Sequence, residues 1–444
     1  MTQAIQEESL YHAALRRMQD ETVAPSWLAR LREAALEHFE GTGFPTVDQE
    51  DWKYTNVAPL ARVDFELLEP AHAAELSHET IRFYVDDNAP HSRLVFVNGD
   101  YQPQFSALDK LPEGVVVSPL GEALASEHGA TARENLARAV DYETDGFTAL
   151  NTAFAGGQGA FIYLPPGARV ETPIRLLFLA TATEQPSAAF PRVLIVAERD
   201  SSATIIEDYQ TTDETAYLTN AVVEVFVKEN ARVVHYKVQH ESDQAFHIAA
   251  THAELERSSV YDLTTITLGA RLSRHGINIK LAHEGAECWV DGLYLVGDGQ
   301  HADTHSLIDH VAPHCVSHQL YKGILDGKSR AVFNGKVFVH KDARQTDAMQ
   351  TNKNLLLSRE ARVDTKPQLE IYNDDVKCAH GATVGQLEEE ELFYLASRGL
   401  HPELARNLLT YGFAEELVEK IKIESIKKQL DEAILNRLHA RLEA

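Results

Sequence analysis

The 444-residue sequence has only three cysteines, Cys288, Cys315 and Cys378, and they lie far apart. Their spacing matches neither a disulfide framework nor a CxxC zinc motif, so we expect a reduced, cytoplasmic protein. Long apolar runs are also absent, because nothing approaches 18 consecutive apolar residues and no apolar signal segment follows Met1. The sequence therefore predicts neither a membrane span nor a signal peptide.

Basic residues are scarce relative to acidic ones, with 41 Lys and Arg against 67 Asp and Glu and a formal charge of -26. Nucleic acids and anionic membranes are bound through basic patches, so we expect neither as a partner. GxSxG, Walker-A and strand-linked GxGxxG motifs are missing as well. We interpret the acidity as serving solubility or adaptation to salt.

Changes in pattern divide the chain into three predicted domains: a helical and mixed N-terminal domain (1–145), a β-rich core (146–385) and a C-terminal helical domain (386–444). In the first, Ser26 is placed to cap a helix with apolar positions Leu28, Leu31, Ala35 and Phe39. Asn98-Gly99 indicates a hairpin turn. Trp52 and Tyr54 are interpreted as packing residues.

A repeat of about 28 residues runs through the core, because six segments between 195 and 344 align when the sequence is shifted by that length. The first position of the six aligned segments, which forms one column of the alignment, is occupied by Ile195, Val223, Thr251, Ile279, Leu307 and Gly335. Alternating apolar columns followed by polar turns predict stacked strand–turn units, a parallel β-helix with irregular or capping turns at its ends. His283 and Asp309 interrupt apolar columns, which indicates either partnered core residues or an imperfect register, with a catalytic role less favoured.

Three helices are predicted after Gly385, over 388–398, 402–411 and from 414 onward. The last carries an apolar stripe that must pack on its own domain or on a partner subunit. The stripe consists of Ile423, Ile426, Leu430, Ile434, Leu438 and Leu442.

The candidate site lies in the stretch 366–385, KPQLEIYNDDVKCAHGATVG. On a strand, Cys378 and His380 would face the same side about 6.6 Å apart and present a thiolate and an imidazole together. Two ligands do not hold a metal, so further ligands would come from elsewhere or from a second chain. The alternative is a small buried cysteine beside a hydrogen-bonded turn histidine.

A second set of histidines is less suited to binding metal. Strand geometry separates residues four apart by about 13 Å, which argues against chelation by sequence neighbours. The set consists of His301, His305, His310, His314 and His318.

Several long stretches resemble the SufB/SufD family of iron-sulfur cluster assembly subunits. They include FTALNTAFAGGQGAFIYLPPGARVETPI, DHVAPHCVSHQLYKGILDGKSRAVFNGKVFV, QTDAMQTNKNLLLS, KPQLEIYNDDVKCAHGATVGQL and LFYLASRGL. The resemblance runs from about residue 145 to the C-terminus, with weaker support from DWKYTNV near the N-terminus. The context of Cys378 and His380 and the chain length favour the SufD members.

This resemblance implies a right-handed parallel β-helix and a non-catalytic scaffold that pairs with SufB and docks the SufC ATPase. His380, with Cys378 as a second ligand, would form half of a nascent-cluster site completed by SufB; no cofactor would be tightly bound by this chain alone, and a homodimer is possible without SufB. The implied SufC-docking region includes Phe393, Tyr394, Arg398, Gly399 and Leu400.

Other functions would require features of their own in the sequence. A SufB-like subunit would accept persulfide sulfur, and Cys288 or Cys315 would have to be the acceptor. A β-helix lyase or hydrolase would want a secreted chain with clustered Asp or Arg on successive coils. A hexapeptide-repeat acyltransferase would have a coil much shorter than the repeat found here.

Overall fold

The computed structural model describes residues 10–21, 24–67, 76–84, 92–108 and 111–439. The helices are α1 (Leu10–Glu21), α2 (Ser26–Thr42), α3 (His78–Tyr84), α4 (Leu120–Ala125), α5 (Gly129–Asn135), α6 (Gly146–Ala153), α7 (Glu389–Ser397), α8 (Pro402–Val418) and α9 (Glu424–His439). Among the helices described, none is both long enough and apolar enough to cross a bilayer.

The strands of the N-terminal part and the first coils are β1 (Glu66–Leu67), β2 (Ser92–Val97), β3 (Asp100–Tyr101), β4 (Val116–Pro119), β5 (Ala160–Leu164), β6 (Ile174–Ala180), β7 (Ser187–Ala189), β8 (Arg192–Ala197), β9 (Ser202–Thr211) and β10 (Tyr217–Val227). The later strands are β11 (Arg232–His240), β12 (Phe246–Leu255), β13 (Val260–Thr267), β14 (Leu272–Leu281), β15 (Glu287–Val296), β16 (His301–His310), β17 (Val316–Leu325), β18 (Arg330–Val339), β19 (Thr346–Leu356), β20 (Arg362–Ile371) and β21 (Val376–Gly385).

Successive core strands alternate between two parallel sheets. The first sheet has the order β20-β18-β16-β14-β12-β10-β8-β5-β4, and the second has β21-β19-β17-β15-β13-β11-β9-β6-β2-β3. Each coil therefore adds one strand to each sheet, and the inward side chains of both sheets fill a common interior. The fold is a parallel β-solenoid with an N-terminal α/β region and C-terminal helices, as predicted.

The coil length varies, so the uniform register of the sequence repeat is wrong in detail. Leu218 of β10 pairs with Phe246, which is the spacing that the repeat requires, whereas Ala253 of β12 pairs with Ile279, which is a shorter spacing. Turns of different length join strands whose side chains must still alternate between the interior and the surface. Stacking therefore tolerates changes in turn length while strand pairing is kept.

A longer coil explains the interruption at Asp309. Ile279 of β14 pairs with Ile308, and not with the preceding residue Leu307 as the fixed repeat would require. A shift by one residue moves a side chain to the other face, so Ile308 is buried while Leu307 and Asp309 face outward. His283 lies in an exposed turn, so imperfect register is the correct interpretation of both residues.

The downstream end of the solenoid consists of two full strands, and the predicted irregular or capping turns are wrong there. β20 pairs with β18, and β21 pairs with β19. Both strands have ten residues and stand last in their sheets. Within the described residues, each therefore keeps one unpaired edge.

Helices of the N-terminal region pack on both sheets: α2 and α6 share an apolar cluster with strands of the first sheet, and Ile81 of α3 shares one with β6 of the second. α2 begins at Ser26 but takes Pro25 as its N-cap residue, so Ser26 is not the cap. Asn98 and Gly99 both have positive φ and join β2 to β3 as the hairpin turn predicted. Trp52 is buried and stacks on Phe147, as expected of a packing residue.

Helices α8 and α9 lie against the second sheet. α8 continues to Val418, past the predicted end at residue 411, and α9 begins at Glu424 and not near residue 414. Ile426, Leu430 and Ile434 of α9 pack in one apolar cluster with Leu417 and with residues of the second sheet. The stripe therefore packs on its own chain; the side chain of Leu438 and residue Leu442 lie outside the part that the structure describes.

Candidate functional site

The candidate site lies at the open end of the solenoid, on strand β21. Ala348 of β19 is the register partner of Cys378, and Gln350 is the register partner of His380. Both β19 residues are buried and face the interior. Cys378 and His380 therefore point from the last strand toward the end of the solenoid interior, and His380 belongs to a strand and not to a turn.

Cys378 and His380 differ in exposure although they share a face. Cys378 is partly buried and packs against the interior apolar cluster, while His380 is exposed. Exposed apolar side chains, including Ile371, Tyr372 and Val384, lie on or beside the same two terminal strands. The thiol and the imidazole therefore lie at the end of the solenoid, between its buried interior and the solvent.

The surroundings of Cys378 keep its thiol protonated. Burial, and next the nearby Asp347 carboxylate, raise the pKa of the Cys378 thiol above its usual value. Cysteine nucleophiles normally have a lowered pKa, whereas a cysteine ligand can lose its proton as the metal binds. The environment of Cys378 therefore suits a ligand better than a nucleophile.

A chain of buried side chains leads inward from the position of His380. Gln350 donates from Nε2 to Oε1 of Gln319 at 2.8 Å, and Gln319 donates from Nε2 to Oγ of Ser306 at 2.8 Å. The Oε1 atom of Gln350 is buried and has no hydrogen-bond partner among the described residues. Gln350 is the register neighbour of His380, so a buried acceptor that has no partner among the described residues lies on the strand next to that of the imidazole.

Sequence reasoning missed this polar interior. Asn352, next along β19, is buried and accepts a hydrogen bond from Oγ1 of Thr365 on β20 at 2.9 Å. Nδ2 of Asn354 also donates to Asn352, at 2.6 Å. The sequence does contain a signal for it, because Gln350, Asn352 and Asn354 alternate along β19. Residues two apart on a strand share a face, and in β19 this face is the inner one.

The histidines of the second set do not share a site. His301 contacts Oγ1 of Thr55 at 2.9 Å, and Nε2 of His305 lies 3.1 Å from Oδ1 of Asp303. His310 faces the interior, His314 lies in a turn, and His318 stacks on Trp289 on the outer surface. His301 and His305 therefore share the outer face of β16 four residues apart, whereas the other three side chains point in different directions.

Cys288 and Cys315 are both buried in the solenoid. Burial is the main reason why the pKa of each thiol is raised, and for Cys288 it is raised far above the usual value. Neither thiol has the exposed, electropositive environment typical of a reactive cysteine.

Cys378 and His380 are too few to hold a metal alone. Across the ranges that the structure describes, no group of three or more His, Cys, Asp or Glu residues is arranged to bind a metal ion. Thiolate with occasional imidazole is nevertheless the ligand chemistry of iron-sulfur clusters. The described residues around Cys378 and His380 add no further ligand of this kind to the pair.

The predicted docking region lies on α7 and the turn after it. The side chains of Phe393 and Tyr394 are 77% and 56% exposed, and the guanidinium of Arg398 lies 5.2 Å from the ring centroid of Tyr394. Gly399 takes a positive φ of 90° and ends the helix, and Leu400 is half-buried. Exposed aromatic side chains next to an arginine are typical of protein-binding surfaces.

Comparison with known proteins identifies relatives over most of the chain. A family model described as "SUF system FeS cluster assembly, SufBD core domain" matches residues 178–413, and one described as "SufBD protein N-terminal region" matches residues 1–176. An iron-sulfur cluster assembly SufBD family protein of Synechocystis is 36% identical over 420 residues, covering 92% of this chain and 91% of the relative. SufD of Escherichia coli is 32% identical (92% and 91% covered), and SufD of Bacillus subtilis is 29% identical (91% and 93% covered).

Proposed function

The chain belongs to the SufBD family of the SUF iron-sulfur cluster assembly system, and on that basis we propose that it is the SufD-type scaffold subunit of a SufB-SufC-SufD complex. In this role it has no catalytic activity of its own. It pairs with SufB at the open end of the solenoid, supplies ligands to a transient cluster and docks the SufC ATPase in the cytoplasm.

The observation that carries this proposal is the position of Cys378 and His380. They lie on the last strand of the solenoid, which is paired on one side only. A partner strand laid along the free edge of β21 would bring its own inward side chains within about 5 Å of theirs. A cluster held by few ligands from each of two chains would also be released more easily to a recipient protein.

Docking of SufC is assigned to α7 and the segment that follows it. Phe393 and Tyr394 are large apolar side chains exposed to solvent, whereas the apolar stripe of α9 is already covered by the second sheet. The C-terminal region therefore keeps one of its apolar surfaces free for a partner. SufC would supply ATP hydrolysis, consistent with the lack of a nucleotide-binding motif here.

The alternative role, a SufB-like sulfur acceptor, is less well supported. It requires an accessible cysteine that is readily deprotonated, but Cys288 and Cys315 are buried and have raised pKa values. Cys378 is the most accessible of the three cysteines, yet the pKa of its thiol is raised as well. The cysteine environments therefore favour the scaffold role.

The test is to co-express the chain with SufB and SufC of the same organism, purify the complex without oxygen and measure iron and sulfide. We expect His380→Ala to leave the complex assembled and to remove most of the bound cluster. His283→Ala, which changes an exposed turn histidine away from the open end, is the matched control and should keep the wild-type cluster content. An unchanged content of iron and sulfide in the His380→Ala complex would place all ligands of the cluster on SufB. Failure of the wild-type subunits to assemble would refute the scaffold role.

A further inference from the structure

A cavity of about 500 Å³ lies on the outer face of the first sheet. Six strands of that sheet, from β10 to β20, line it together with residues 49–52 and 144–148. Neighbouring strands are about 4.8 Å apart, so the six strands span about 24 Å. The volume is typical of a site for a small organic molecule, roughly 300–1,000 Å³. Neither Cys378 nor His380 is among the residues that line the cavity.

Arg274 of β14 lines the cavity and is almost completely buried, with 7% of its surface exposed. Its guanidinium lies 3.7 Å from the ring centroid of Trp52, and its Nη1 atom donates to Oδ2 of Asp303. The Nε and Nη2 atoms make no hydrogen bond within the part of the chain that the structure describes. Because buried donors in proteins are normally paired, these two donors are available to a ligand.

Asp303 of β16 holds the guanidinium of Arg274 in place. Its carboxylate is buried, accepts from Oγ1 of Thr55 at 2.5 Å and lies 3.1 Å from Nε2 of His305. Burial acts to raise the pKa of Asp303, but Arg274 and next His305 lower it more, so that the pKa lies below its usual value. The carboxylate therefore stays charged and is surrounded by groups of the chain itself.

Most of the other carboxylates that line the cavity also have partners. Asp145, the N-cap residue of α6, accepts hydrogen bonds from two backbone N–H groups of that helix at 2.8 and 3.0 Å. Glu50 lies 2.8 Å from Nζ of Lys366. Asp51 is exposed, so solvent and salt screen its charge. The cavity therefore offers few acceptors that a ligand could use.

Two further side chains of the cavity keep donors available. Nδ2 of Asn334 makes no hydrogen bond among the described residues, while its Oδ1 atom accepts from Nε2 of Gln368 at 2.9 Å. Nζ of Lys336 lies 2.9 Å from Glu370, and both side chains of this pair are partly exposed. Exposed ion pairs of this kind contribute little to stability, so a ligand can replace Glu370 as the partner of Lys336.

The floor of the cavity between these donors is low and apolar. Ala250 of β12 and Gly276 of β14 are register partners, and Leu307 of β16 lines the cavity beside them. A Cβ atom added to Gly276 would have only the carbonyl oxygen of Ala249 within 4 Å, at 3.9 Å. The space above Gly276 is therefore open to the carbon skeleton of a ligand.

We propose that this cavity binds a small organic anion whose carboxylate or phosphate group accepts hydrogen bonds from Nε and Nη2 of Arg274. The carbon skeleton of the anion lies over Ala250 and Gly276, and Lys336 balances part of its charge. A site whose acceptors are occupied and whose donors are free selects a ligand rich in acceptors. This site goes beyond the scaffold role and does not depend on it, because the cavity is separate from Cys378 and His380.

Isothermal titration calorimetry of the full-length chain tests the site, with succinate and glycerol 3-phosphate as probes in a buffer free of carboxylate and phosphate. We expect the tighter of the two probes to bind with a Kd below about 1 mM. Its oxyanion group then distinguishes a carboxylate ligand from a phosphate ligand. Failure of both probes to bind at about 10 mM would overturn the proposal.

Gly276→Leu places a side chain in the open space of the cavity while leaving Arg274 unchanged. We expect it to weaken binding of the tighter probe roughly tenfold or more, because the ligand and the new side chain compete for one volume. Gly412→Leu, at an exposed glycine of α8 where an added Cβ also meets open space, is the matched control and should bind as wild type does. Wild-type affinity in Gly276→Leu would show that the anion binds elsewhere.

Arg274→Lys tests the guanidinium itself, because it keeps a cation beside Asp303 but removes the planar set of donors. We expect roughly tenfold weaker binding of the tighter probe. Arg330→Lys is the control and should keep the wild-type affinity, since Arg330 pairs with Asp364 and does not line the cavity. Equal affinity of Arg274→Lys and wild type would refute the assignment of the oxyanion to Arg274.

Discussion

The Nζ atom of Lys237 lies 2.6 Å from Nε2 of His247 inside the solenoid, where both side chains are almost completely buried. Nδ1 of His247 lies 2.7 Å from a carboxylate oxygen of Glu241. The contacts are consistent with a neutral imidazole that accepts from the ammonium and donates to the carboxylate. Burial, and next Lys237, lower the pKa of His247, which agrees with the neutral form.

Lys237→Met should destabilise the protein by about 3 kcal/mol, because it removes a cation from a site that retains buried carboxylates. Burial lowers the pKa of Lys237 to about 8, although Glu207 and Glu241 oppose this shift. The measurement is urea unfolding of the isolated chain at neutral pH. Lys280→Met, at an exposed lysine of β14, is the control and should cost less than about 0.5 kcal/mol. Similar unfolding midpoints for the two variants would show that Lys237 does not balance the buried carboxylates.

Acid sensitivity should depend on His310, a buried interior histidine whose Nε2 lies 2.8 Å from Oγ of Ser317. Burial lowers the pKa of His310 to about 3, whereas an unfolded histidine has a pKa of about 6.5. Below about pH 6.5 the unfolded chain therefore binds a proton that the folded chain does not, and stability falls until the pH approaches about 3.

His310→Gln removes this titration while keeping a polar group near Ser317. Between about pH 7.5 and about pH 5.5 we expect the variant to lose about 1 kcal/mol less stability than wild type, as measured by urea unfolding at each pH. His283→Gln, at an exposed turn, should follow the wild-type dependence. An unchanged pH dependence in His310→Gln would mean that this histidine is not held neutral in the fold.

Replacing Phe393 and Tyr394 together by serine should weaken binding of SufC roughly tenfold or more, because exposed aromatic residues are frequent binding hot spots. Both residues already face solvent, so thermal stability should stay close to that of wild type. Phe83→Ser, at a residue of α3 that is 84% exposed, provides the control and should bind SufC normally. Co-purification and equilibrium binding measure the effect, and normal binding by the double variant would move the docking surface elsewhere.

Local patterns in the sequence determined the architecture. Alternating apolar residues, repeated turns and a helical stripe predicted the β-rich core and the C-terminal helices, because strand and helix periods follow from backbone geometry. The i, i+2 spacing likewise predicted that Cys378 and His380 share a face. These features depend on residues close together in the chain.

The stacking of the coils in the tertiary structure determined the remaining features. A repeat of fixed length cannot align coils that differ in length. Only the pairing of the strands in the structure showed that Ile308, and not Asp309, faces inward. The polar interior below His380 arises from contacts between coils. Such contacts join residues that lie a full coil apart in the sequence. Which side chains meet is determined by the pairing of the strands, and the length of the turns alone does not determine that pairing.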